Sequence, residues 1–82
     1  MKIRFTKAAR RHRIGRASVR TVMAATTPSL VTTSQGKDAW LYIGPDERNR
    51  ELEIIAVEVE AGEDHEVFLL VICVLPTQLR KR

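Results

Sequence analysis

The run Arg10-Arg11-His12-Arg13-Ile14-Gly15-Arg16 places four guanidinium groups and one imidazole within seven residues. Guanidinium forks match phosphate oxygens bidentately, and imidazole exchanges a proton near neutral pH. Together they suit attack of a ribose 2′-hydroxyl on its own phosphate, with cations holding the charged oxygens and His12 carrying the proton. No metal or other cofactor is required for that step. His12 has a second, structural reading, in which it closes a helix and meets the C-terminal carbonyls. Arg48 and Arg50 form the other notable pair, being the only cations between Asp38 and Leu79. Arg50 stands at a strand entrance, where it could be aimed into a groove, or it could pair with Glu47, Glu51 or Glu53 at the surface.

Charge is strongly segregated along the chain. Residues 1–37 carry nine cations and no acid, whereas residues 38–79 carry all 10 acids against two cations, for a net charge of +4. Such a molecule offers one side to a polyanion or to an acidic partner. Cys73 is the single cysteine, so no internal disulfide can form, and a reducing cytoplasm is the expected compartment. His12 and His65 lack the companions a zinc site needs. The longest apolar run, Val67 to Leu75, is far short of the ~20 residues that span a bilayer, so no membrane segment is expected. Glycine-rich phosphate loops, paired-carboxylate signatures and serine elbows are missing.

The 82 residues leave room for one domain and little interior, so chemistry is expected in a shallow groove. Lys2 to Thr6 alternates as a short strand does, and Thr6 can cap a helix through Lys7–His12 that Gly15 breaks. A second helix is predicted over Arg16–Ala25, with Val19, Val22 and Met23 on its buried stripe and Arg16 and Arg20 on its flank. Strands follow over Ser29–Ser34, Ala39–Ile43, Leu52–Glu60 and Val67–Leu75. In the third of these Ile55, Val57 and Val59 are expected on the dry face. The last is apolar throughout, as a central strand covered on both faces would be. Trp40 and Tyr42 share a face and suit either core packing or base stacking. Pro76 permits a closing helical turn through Leu79. The expectation is an α+β domain over residues 1–82: a short N-terminal strand, two helices on one sheet face, an antiparallel three- to four-stranded meander and a short C-terminal helical turn.

Thr6 to Gly15 with Val19 and Val22 behind it, Leu41-Tyr42-Ile43-Gly44, Arg50 to Val57, and Phe68 to Ile72 together resemble BrnT-like toxins. Those belong to the RelE/ParE superfamily of type II toxin–antitoxin systems. The resemblance implies a RelE-like fold and a cytoplasmic, metal-independent endoribonuclease, an mRNA interferase neutralised by a cognate antitoxin. It assigns His12 and Arg50 as catalytic candidates, beside Arg10, Arg13 and Arg16 as nucleic-acid contacts, with Arg80 of the basic tail as a further one. RNA and the antitoxin are the implied partners, in a homodimer or a toxin–antitoxin hetero-oligomer. Two departures bear on activity: Cys73 stands about where relatives carry a histidine, and the C-terminal helix is short. A non-enzymatic nucleic-acid-binding module, its second helix in a major groove, and a toxin acting on a protein target are the competing readings.

Overall fold

The computed structural model describes residues 2–10 and 13–77. Five strands, β1 (Lys2–Phe5), β2 (Ser29–Thr32), β3 (Asp38–Pro45), β4 (Glu51–Ala61) and β5 (Glu66–Pro76), form one sheet in the order β1-β5-β4-β3-β2. β2 to β5 pair antiparallel in sequence order, while β1 adds to the free side of β5 in parallel, so the sheet is mixed. Among the described residues there is one α-helix, α1 (Arg16–Ala25), which packs against β3 and β4. Val19 and Val22 are fully buried on its inner stripe, with Met23 packed beside them.

The expected RelE-like arrangement with two helices is therefore corrected. Between β1 and α1 the described residues make a 3-10 turn, Ala8–Arg10, and no α-helix. Thr6 Oγ1 does accept from the Ala9 N–H at 3.1 Å, as a cap would. But a segment of six residues with three cations has too few turns and too little apolar stripe to offset helix nucleation. Arg13 then leaves at a positive φ of 56°, and Gly15, extended, is the N-cap of α1. The predicted C-terminal turn through Leu79 lies beyond Thr77, outside the described residues, apart from its first positions.

Two expectations about sheet faces are also corrected. In β4 the fully buried residues are Leu52, Ile54 and Ala56, which face α1, whereas Ile55, Val57 and Val59 are half-buried on the opposite face. Alternation could not decide between the two sets because β4 is apolar on both. In β5 the helix side receives Leu69, Val71 and Val74. The spacing of three between Val71 and Val74 marks a β-bulge: Ile55 pairs with Cys73 and Ala56 with Val71, leaving Ile72 as the extra residue. Ile72 and Cys73 consequently both lie on the side away from α1. β5 is not covered on both faces by described elements, since α1 and the Ala8–Arg10 turn both contribute to the core on one side.

Candidate nucleic-acid interface

Four basic residues of the first quarter of the chain, Lys2, Arg4, Arg16 and Arg20, gather along one edge of the sheet. β1 is an edge strand, so its outer backbone N–H and C=O groups are not used by a neighbouring strand. On the side away from α1, the Arg4 guanidinium lies over the Phe68 ring at 4.8 Å and the Lys2 ammonium meets Glu66 at 3.3 Å. On the helix side, the Arg16 guanidinium lies over the Phe5 ring at 5.6 Å. Arg20 follows one turn later and lines a half-open cleft of about 650 Å³. The edge is thus flanked by two rows of cations, Lys2 and Arg4 on one side, Arg16 and Arg20 on the other.

Cation–π stacking on Phe68 and Phe5 holds two of the guanidinium groups near their positions before any ligand arrives. The Lys2–Glu66 pair is exposed on both sides, so it contributes little and exchanges readily.

The cleft has an apolar floor of Ile3, Leu69 and Met23, and Tyr42 reaches it from β3. Burial, and then the charge of Glu58, push the Tyr42 hydroxyl above its ordinary value, so it stays protonated at neutral pH and can donate a hydrogen bond. No carboxylate lines this cleft among the described residues. An anionic group with an attached planar or apolar body would find both halves of its chemistry satisfied there.

α1 is placed by an acid from elsewhere. Its first turn contains no Asp or Glu and begins with Arg16, which opposes the positive end of the helix dipole. Glu47 supplies the missing charge from the β3–β4 turn, accepting from Ser18 Oγ at 2.5 Å. That hydrogen bond first, and the Glu47 backbone N–H second, hold its carboxyl below the ordinary carboxylate range.

The residues singled out from the sequence are distributed as follows. Arg16 stands in the cationic edge. Arg10 and Arg13 are exposed in the β1–α1 connection. His12 and Arg80 lie outside the described residues. Arg50 is committed within its own turn: its Nε and Nη2 both reach Asp46 Oδ2 at 2.8 Å. Asp46 Oδ1 accepts the backbone N–H groups of Arg48 and Arg50, each at 2.9 Å. The Asp46 side chain is fully buried, and burial by itself would raise its pKa. The donors from Arg50 and Arg48 outweigh that and lower it. Arg50 therefore positions the turn that carries Glu47 to α1.

Arg20, Lys2 and Arg4 were not among the sequence-derived site residues. The signal was present in the Lys–Ile–Arg–Phe alternation and in the four-residue spacing of Arg16 and Arg20. What joins them is the parallel pairing of β1 with β5, which no local pattern announces. Among the described residues, no group of three or more His, Cys, Asp or Glu is placed to hold a metal ion, and no helix is long and apolar enough to cross a membrane. Comparisons with protein-family models, with curated proteins and with solved structures find no match to this chain.

Proposed function

We propose that this protein is an RNA-directed toxin of the toxin–antitoxin kind, gripping a single-stranded ribose–phosphate chain along the cationic β1 edge and cutting it without a metal. The observation that supports this most is the paired rows of Lys2 with Arg4 and Arg16 with Arg20 about an edge strand. Phosphates would run along the rows, and a base would enter the cleft over Leu69 and Met23, its polar rim meeting Tyr42. His12 is the candidate proton carrier, and an antitoxin would neutralise the chain by covering the same edge. A second reading, binding without cleavage, is favoured by one observation: the described lining of the cleft holds a protonated hydroxyl and cations but no general base.

One experiment separates the readings. The purified chain is mixed with a labelled single-stranded RNA in EDTA, and both retention and product are followed across a salt series. Binding should weaken with salt, and Arg16→Ala with Arg20→Ala should lower the log–log slope by about 1.4, since each lost single-strand phosphate contact removes about 0.7. Product that disappears in His12→Ala supports the nuclease; retention without product selects the binding module. Absence of salt-dependent retention in a folded sample removes both.

A further inference from the structure

Tyr42 belongs to the core and is only 8% exposed, yet its hydroxyl is not used by the fold. Among the described residues nothing hydrogen-bonds that oxygen, and it is not sealed from solvent. Tyr42 lines the cleft between β1 and α1, so the cleft is where the hydroxyl meets a partner. A phenol buried by its ring but unbonded at a cleft wall is satisfied only by water or a ligand. The other polar side chains of the described lining are Lys2 and Arg4 from β1 and Arg20 from α1, all of which only donate. Lys2 has an exposed partner in Glu66, and Arg4 rests on the Phe68 ring. Arg20 has no ion pair or hydrogen bond among the described residues. The cleft therefore holds two uncommitted donors, a guanidinium and a phenol, and no acid among its described lining.

We propose that this cleft holds a terminal phosphomonoester of RNA, with Arg20 and the Tyr42 hydroxyl as its principal donors. The inference rests on the RNA reading above and adds which part of the chain the cleft takes. A terminal phosphate carries a charge of about −1.5 to −2 at pH 7 and three accepting oxygens, more than a phosphodiester within the strand. Three cationic residues and a phenol around one cleft suit the more highly charged group. Burial and the charge of Glu58 keep the phenol protonated at neutral pH, so it donates to the anion. The volume of about 650 Å³ falls within the range of about 300–1,000 Å³ of small-ligand sites, room for the phosphate with its nucleoside. Ile3, Leu69 and Met23 supply the apolar floor on which the base lies.

Fluorescence anisotropy with the full chain and short 2′-O-methyl RNA strands, which lack the attacking hydroxyl, tests this. One strand ends in a 5′-phosphate and one in a 3′-phosphate. The third has hydroxyl ends and is lengthened by two residues to match their charge. A phosphorylated strand should bind about tenfold tighter than the matched one, as hydrogen bonds to a charged group give, and the end that shows it is the end the cleft reads. Tyr42→Phe should remove most of that preference with the thermal midpoint unchanged, because the lost hydroxyl bonds nothing in the described fold. Arg20→Ala should remove it too, whereas Lys37→Ala, which loses the same charge between β2 and β3, should keep it. Equal binding of all three strands overturns the proposal and leaves the RNA reading standing. A preference that either Tyr42→Phe or Arg20→Ala keeps in full does the same. If no strand binds a folded sample in a salt-dependent way, the RNA reading falls and this proposal with it.

Discussion

Gly44 shows how one missing side chain sets the seat of α1. A Cβ there would collide with the Thr26 methyl at the end of the helix. Thr26 cannot rotate away cheaply, because its hydroxyl donates to the Val22 carbonyl at 2.6 Å. Gly44→Ala should therefore destabilise the protein by about 1–3 kcal/mol, as overpacking does, and thermal unfolding will show it. Asp46 illustrates the opposite dependence, on a single carboxylate with four donors. Its pKa is lower folded than unfolded, so its stabilisation is complete above the ordinary value of about 4 and is lost as pH falls through the folded value. Asp46→Asn should lower the melting temperature by roughly 5 °C at pH 7, with the two proteins converging as acid protonates Asp46 below the ordinary carboxylate range. Cys73 shifts the other way: burial and then the charge of Glu53 raise its thiol. It should alkylate more slowly at pH 8 than an exposed cysteine, by a factor that shrinks as pH rises past the raised value. These residues were only partly legible beforehand. Cys73 reads as a small buried hydrophobe from its apolar run, whereas Asp46 looks like an ordinary turn residue until its four donors are seen to converge.

Elements were legible in proportion to how much of their stability is local. α1 could be placed over Arg16–Ala25 because a stripe at positions 19, 22 and 23 has only one helical solution. Its anchoring could not, since Ser18 bonds to Glu47 twenty-nine residues away. Ser18→Ala should loosen the N-terminal turn of α1 and lower stability by about 0.5–1.5 kcal/mol, seen as faster amide exchange confined to that turn. Val22→Ala, at a fully buried site, should cost more, about 2–3 kcal/mol, and should unfold the chain cooperatively at a lower temperature. The segment before Arg13 was misread as a helix because residue preference favours one there, while its length does not. β4 and β5 were recognisable as strands from Val and Ile content, but their facing was not, because both of their sides are apolar and the bulge at Ile72 shifts the alternation.

At the scale of the molecule, the separation of charge along the sequence becomes a separation in space. The acid-free first 37 residues supply β1 and α1, and Lys2 and Arg4 of the one and Arg20 of the other line a single cleft. The acids lie mostly on β4, β5 and the turns joining the strands, where Glu60 meets His65 at 2.6 Å and Glu58 accepts from Trp40 at 3.3 Å. If the proposed RNA partner binds there, its association rate should fall as salt shortens the reach of these charges, which stopped-flow mixing would measure.

The amino-acid order alone determined the strand-forming segments, the helix over Arg16–Ala25 and the basic and acidic halves, because each depends on neighbours within a few residues, and its single cysteine excludes an internal disulfide. Tertiary structure alone decided that β1 joins β5 in parallel, that Arg50 serves a turn, and that Arg4 and Arg20 flank a common edge. It also decided which side of a doubly apolar sheet the helix would take. Those outcomes depend on contacts between residues far apart in the chain, where many pairings satisfy the same local pattern and only close packing selects among them.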